Sequence, residues 1–317
     1  MAKILVVGGF GWVGSNVTEA LVDLGYDCVL TCHATTEVPP FLRKHLGGKV
    51  LLEPADVTSA PDLLRIGEKH KIDGIFCAAR PLGTESKGTL ANLRAYFDMI
   101  TAVFAAAETW NVHRVTMTST VGVYLGLGPA PMKEDQLLPI PSLGSAGYQK
   151  IAEIASYEFA RGSGISSVCV RLGGMFGPGM DPRMPDILPR LVHAAARGEP
   201  PNLEGLFLGT AADDEIDRPY VKDLGRAIAM IQTSEKLASS TYNIGAGKPT
   251  SNLELVRAIE QAVPGFKFEL PPGRNSRMVM PALDTERLRN DTGFSPKFDV
   301  RSGVAEYVDW LKAGNIR

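Results

Sequence analysis

Three glycines, Gly8, Gly11 and Gly14, have the spacing that a phosphate site needs. In Gly8-Gly9-Phe10-Gly11-Trp12-Val13-Gly14, one glycine turns the chain, one lets a pyrophosphate approach the backbone, and one lets a helix pack closely on a strand. A helix that starts there offers unpaired N–H groups and the positive end of its dipole to the phosphates. The pattern alone is a weak signal, but its context is informative. Lys3-Ile4-Leu5-Val6-Val7 is a continuous apolar run, as in a strand buried on both faces, and Val13 to Leu24 has helical period. The reading is a dinucleotide-binding turn; an ordinary structural turn is the alternative.

The end of the next strand bears on which dinucleotide would bind. A site for NAD usually carries an acid about twenty residues after the glycines, to hold the ribose 2′-OH. Here Thr31-Cys32-His33 stands at that place, without an acid. His33 could contact a 2′-phosphate, and Arg43 and Lys44 follow, so the choice between NAD and NADP stays open. Asp56-Val57 after the third strand could accept from an adenine amino group and pack on its ring, or Asp56 could cap the helix at Ser59-Ala60-Pro61. Cys77, Ala78 and Ala79 end the fourth strand, and small residues there allow a cofactor to come close.

The elements that must position these groups repeat as strand, helix, strand. Short apolar runs at Cys28 to Thr31, Val50 to Leu52, Gly74 to Cys77, Val115 to Met117 and Val168 to Arg171 alternate with helix signals at 61–69, 88–109 and 148–161. This predicts an α/β fold with a doubly wound parallel sheet, a Rossmann domain over 1–175. The rhythm changes after Gly177-Pro178-Gly179. Helices are expected near 185–197, 221–233, 252–262 and 301–312, with strands near 241–244 and 267–269. Ser251-Asn252-Leu253-Glu254 reads as a capping box. Residues 176–317 are therefore read as a smaller substrate lobe with interleaved boundaries.

Composition narrows the function classes. Of 317 residues, 44% are hydrophobic and 21% charged, which supports a sizeable core. With 33 basic and 35 acidic residues the net charge is −2, so nothing favours nucleic acid or an anionic membrane as partner. No stretch reaches the roughly 18 apolar residues of a spanning helix. The N-terminal run is too short for a signal peptide, and a cytoplasmic enzyme is expected. Cys28, Cys32, Cys77 and Cys169 read as small buried hydrophobes, and the five histidines have no ligand spacing, so no metal site is expected.

Taken together, these residues resemble the extended short-chain dehydrogenase/reductase family, and nucleotide-sugar epimerases and dehydratases above all. The resemblance runs through the glycine loop, Asp56-Val57, Cys77-Ala78-Ala79, Asn92, and the segment Thr118 to Tyr124. It continues through Arg171 to Gly179, Arg218 to Asp223, Tyr242 to Gly245, and Asp284. It implies an NAD- or NADP-dependent oxidoreductase or epimerase that exchanges hydride at a hydroxyl or carbonyl carbon of a sugar-like small molecule. Gly174 then lies in the nicotinamide-side loop, and Arg218 and Arg274 grip a substrate pyrophosphate. Salt bridges to Asp213, Asp214, Glu215 or Asp217 are the alternative for the arginines.

The resemblance also implies a catalytic Ser or Thr with a Tyr-x-x-x-Lys pair, spaced so that both side chains share one helix face. Thr120 fits the hydroxyl, and Lys150 fits the lysine, which would hold the nicotinamide ribose, but position 146 is Ala146. Tyr148 is two residues from Lys150, about 200° around a regular helix. Tyr148 can serve only if the helix starts irregularly around 144–147. Otherwise Tyr124 or another residue donates the proton, or the protein binds a dinucleotide without redox chemistry, as a regulatory or scaffold protein. Use of the cleft for cyclisation or elimination is a third possibility. The apolar residues of 88–109 exceed what one sheet face buries, so a homodimer is expected.

Overall fold

The computed structural model describes residues 2–33, 37–81, 89–128, 131–140, 146–206, 208–276 and 282–315. The first half follows the strand–helix rhythm: β1 (Lys3–Val7), α1 (Trp12–Asp23), β2 (Asp27–Cys32), β3 (Val50–Pro54), α2 (Ala60–Lys69), β4 (Gly74–Cys77), α3 (Thr89–Trp110), β5 (Arg114–Thr120), α4 (Ala146–Ser163) and β6 (Ser166–Leu172). The second half adds α5 (Ile187–Arg197), β7 (Glu215–Asp217), α6 (Val221–Thr233), β8 (Thr241–Ile244), β9 (Pro249–Ser251), α7 (Asn252–Ala262), α8 (Glu286–Thr292) and α9 (Val300–Lys312).

Seven parallel strands form the main sheet in the order β3-β2-β1-β4-β5-β6-β8. The direction of winding reverses between β1 and β4. Ligands bind outside the carboxyl ends of strands at such a switch point. Two apolar cores flank the sheet. One joins α1 and α6 to one face through Val17, Leu21, Leu224 and Ile228. The other joins α2, α3 and α4 to the opposite face through Leu63, Ile66, Ile100, Val103 and Ala152.

Strand β8 extends the sheet beside β6, and α6 lies on α1. The close approach of these helices depends on Gly225, where a Cβ would stand 2.6 Å from the Asn16 carbonyl oxygen. A separate core of Phe176, Leu188, Leu191, Tyr220, Leu255, Ile259, Val304 and Tyr307 gathers α5, α7 and α9. The capping box at the start of α7 is present, with Ser251 and Glu254 each accepting from the other's backbone N–H.

The expected strand at 267–269 does not form. Phe266, Phe268 and Leu270 are half-buried against the third core, so the alternation marks a packed extended segment that has no neighbouring edge to pair with. The antiparallel pair β7–β9 and helix α8 were not foreseen; strands of three residues are too short to leave a period. No helix among the described residues is long and apolar enough to cross a membrane, and no described group of three His, Cys, Asp or Glu could hold a metal. Cys28, Cys77 and Cys169 are buried, and burial pushes each thiol up to about 12.

Candidate active site

The turn after β1 is built by contact. Gly8 has φ +86, and a Cβ there would stand 2.8 Å from the Ala79 amide nitrogen, just past β4. A Cβ on Gly14 would overlap the Gly8 carbonyl, so this glycine lets α1 sit close on the turn. Gly11 differs from both. It is exposed, has ordinary extended backbone, and meets only the Gly8 oxygen, at 3.2 Å. Gly11 N–H donates to the Gly8 carbonyl at 3.0 Å, and Gly8 N–H donates to the Thr31 hydroxyl at 3.1 Å. Thr31, one residue before the end of β2, stands near the place where an NAD site usually carries an acid, and only its alignment with the turn reveals its role.

Helix α1 starts without a side-chain cap and without an acid in its first turn. Its first N–H groups therefore face the crevice with no side chain to satisfy them. Phe10 and Val13 are half-buried against the α1 side of the sheet. The Trp12 indole donates to the Pro178 carbonyl at 2.7 Å and lies over Gly179, tying the turn to the loop after β6. In that loop Gly174 N–H donates to the Asp217 carbonyl, and a side chain at Gly174 would meet Ile216 at 2.9 Å.

On the other side of the switch point, His33 is exposed at the end of β2. Asp56 does not cap α2. Its Oδ1 accepts from the backbone and hydroxyl of Thr58, at 2.9 and 2.7 Å, while the cap is Ser59. Val57 packs beside the second core, as does Ala79, whereas Ala78 borders the first and donates its N–H to the Val7 carbonyl.

The arrangement around α4 departs from expectation. Residues 141–145, including the expected irregular start at 144–145, lie outside the described residues. From Ala146 onward the helix is regular, so Tyr148 is helical. Its ring stacks on Tyr96 of α3, with centroids 5.1 Å apart, and belongs to the second core. Tyr148 thus does not turn toward Thr120. Lys150 donates its ammonium to the Pro139 carbonyl, and burial lowers its pKa.

The register of α4 is fixed by an ion pair that sequence reading missed. Glu153 accepts from Arg171 at 2.7 and 3.0 Å and from the Ser119 hydroxyl at 2.5 Å. This seats the Glu153 face of the helix on the ends of β5 and β6. The buried stripe of α4 is Ala146, Gln149, Ala152 and Ser156. Gln149 is in the middle of that stripe, and Lys150 is about 100° around from it.

Tyr124 also differs from expectation. It is buried, its hydroxyl donates to Asn243 at 2.8 Å, and Arg171 donates to it at 2.6 Å. Burial pushes its phenol up, and with both contacts inside the protein it does not reach a substrate as expected. Thr120 remains half-exposed at the end of β5. Its oxygen accepts from Gly122 N–H at 3.1 Å, which leaves its proton free to donate outward.

Arg218 is buried and paired with Asp186, the N-cap of α5, rather than with the acids nearest in sequence. Its Nε is buried without a partner among the described residues. Arg274 is exposed and pairs with Glu215 at 2.8 Å. Both lie by β7. Asp217 at its end accepts from the backbones of Leu283, Ala246 and Gly247, and burial pushes its carboxyl up to about 6.

A parallel sheet with a glycine cradle at its switch point defines a dinucleotide-binding protein of the short-chain dehydrogenase/reductase type, and sequence comparison narrows the class. Residues 4–245 match the NAD dependent epimerase/dehydratase family, and the chain belongs to that family of NAD-dependent enzymes. It is 26% identical to a UDP-glucose 4-epimerase of Azospirillum brasilense, over 95% of this chain and 89% of the relative. It is 23% identical to a dTDP-glucose 4,6-dehydratase of Neisseria meningitidis, over 98% and 93%. The Thermotoga maritima UDP-glucose 4-epimerase solved with UDP-glucose superposes with a TM-score of 0.81 at 20% identity, covering 98% of this chain and 99% of that one. The Thermus thermophilus UDP-glucose 4-epimerase solved with NAD gives 0.80 at 19%, covering 99% and 100%. The residues present fit a nicotinamide dinucleotide, because side chains at Gly8 and Gly14 would fill the cradle and Gly11 leaves its mouth open.

Proposed function

We propose that this chain is an NAD-dependent oxidoreductase or epimerase whose substrate is a nucleotide sugar, with an active site modified from the usual Tyr-x-x-x-Lys arrangement. The uncapped start of α1 above the switch point is the observation that carries this reading. Gly8, Gly11 and Gly14 receive the pyrophosphate, and Asp56, Val57 and His33 border the adenosine side. Cys77, Ala78, Ala79 and Gly174 line the approach to the nicotinamide. The bound cofactor supplies hydride exchange at a hydroxyl or carbonyl carbon. Thr120 donates a hydrogen bond to the oxygen on that carbon and orients it. Arg218 and Arg274 grip the diphosphate of the sugar nucleotide, with Arg274 exchanging its surface pairing for the ligand. The Rossmann lobe is read as 1–175 and the substrate lobe as 176–317, with α6 and β8 crossing back.

The packing of Tyr148 and the burial of Tyr124 favour a second reading, a dinucleotide-binding protein without turnover. Incubation with NAD⁺ and UDP-glucose or dTDP-glucose, followed by proton NMR of the sugar, separates the two. Turnover that falls about a hundredfold in Thr120→Val supports the enzyme. Nucleotide binding with no change in any sugar supports the second reading.

The proposed assembly is a homodimer through α3 and α4. Leu90 and Phe97 on α3 and Ile154 and Tyr157 on α4 are all exposed, with Leu90 at 74% and Ile154 at 67%. Light scattering at micromolar concentration should give twice the mass of one chain, and the mass of one chain would reject the dimer.

A further inference from the structure

We propose that Gln149, and not Lys150, is the α4 side chain that hydrogen-bonds the ribose on the nicotinamide side of the dinucleotide. This rests on the reading that the glycine cradle holds the pyrophosphate. Glu153 is level with Ser119 and Arg171, near the last residues of β5 and β6. The helix of a crossover connection runs antiparallel to its strands, so its N-terminal turns rise beyond their carboxyl ends. Gln149 stands one turn, about 6 Å, above Glu153 on the same face. Three residues nearer the helix start on that face, Ala146 approaches Gly122, where a Cβ would stand 3.3 Å from the Ala146 methyl group, next to Thr120.

Gln149 is only 6% exposed, no hydrogen bond among the described residues uses its amide, and that amide is not among the polar atoms sealed in the core. An amide that keeps access to solvent at the end of a buried side chain is free to bond a ligand. The adenosine half of a dinucleotide belongs over β2 and β3. The other half must then extend from the cradle over β4 and β5, and α4, which carries Gln149, packs on β5. An amide offers both a donor and an acceptor, which suits a pair of ribose hydroxyls. It carries no charge, so this contact positions the ribose without the cation that would favour an ionised hydroxyl nearby. Lys150 cannot take the same place while its ammonium is held by the Pro139 carbonyl.

The test is calorimetric titration of NAD⁺ and, separately, of ADP into wild type, Gln149→Leu and Lys150→Met. ADP has the adenosine half and the diphosphate but no second ribose, so it also reports whether each variant keeps its fold. The expected result is that Gln149→Leu binds NAD⁺ about tenfold more weakly, as for loss of one or two hydrogen bonds. Its ADP affinity stays within about twofold of wild type, and Lys150→Met changes neither ligand. Unchanged NAD⁺ affinity in Gln149→Leu, or a loss confined to Lys150→Met, would overturn the assignment. Loss of both ligands in Gln149→Leu would assign the residue to the fold instead. A wild type that binds neither ligand would defeat the reading of the cradle itself.

Discussion

The starts of α1 and α4 both border the crevice, and they answer to different kinds of constraint. At α1 each glycine is fixed by what lies within a few ångströms: the Ala79 backbone for Gly8, the turn itself for Gly14, the Gly8 carbonyl oxygen alone for Gly11. At α4 the side chains that matter are fixed by an ion pair made further down the helix, Glu153 with Arg171. Spacing along the chain is therefore a good guide to the first region and a poor one to the second. A shift of one residue in helical register replaces a lysine by a glutamine on the ligand-facing side.

If that anchor sets the register, removing it should have the largest effect on stability. Arg171 is buried and the Glu153 side chain is only 10% exposed, and truncating one leaves the other charge without its partner. Arg171→Met should lose about 3–5 kcal/mol in urea denaturation. A loss below about 1 kcal/mol would mean that α4 is held by apolar packing alone, and the contrast between the two helix starts would weaken.

The C-terminal core supplies a control away from both regions. Burial holds His193 neutral and lowers its pKa from 6.5 to about 4, with Nε2 at 2.8 Å from the Tyr307 hydroxyl. The unfolded chain binds a proton in this window and the folded chain does not. Stability therefore falls as pH drops from 6.5 toward 4, by up to about 3 kcal/mol from this group. His193→Gln should flatten that part of the profile, and an unaltered slope would assign the dependence to other groups. Gly14→Ala should cost about 1–3 kcal/mol through overpacking against the Gly8 carbonyl, seen as a lower midpoint of thermal unfolding. A midpoint equal to that of wild type would show that the turn yields, contrary to the fixed cradle described above.

The smallest effect is expected at Tyr148. Its ring is packed on Tyr96, so Tyr148→Phe should keep both stability and any sugar turnover within about twofold, well inside the range of surface-like changes. A large loss of turnover would return Tyr148 to the chemistry and contradict the geometry of α4.

The parallel sheet was legible because each central strand is a short apolar run closed by turn residues, and the cradle because strand, glycines and helix are consecutive. The acid/base region was not legible for a physical reason. The approach of Tyr148 to Tyr96 and of Glu153 to Arg171 spans elements far apart in the chain, and neither leaves a local pattern. Arg218 shows the same limit. Acids lie beside it in sequence, but the chain pairs it with Asp186, 32 positions earlier, because the cap of α5 is brought to the end of β7. Tyr124 offers itself as a proton donor by its place after β5, and only the closure of β8 beside β6 puts Asn243 against its hydroxyl.

The most direct test of the account is calorimetric titration of NAD⁺ into wild type and Gly11→Val. Gly11 is exposed, with extended backbone that valine can adopt, so the variant should fold, and circular dichroism melting should agree with wild type. The account predicts one NAD⁺ site per chain in wild type and an affinity at least about a hundredfold weaker in Gly11→Val, because the added side chain fills the mouth of the cradle. Equal affinity in a folded Gly11→Val protein would contradict it.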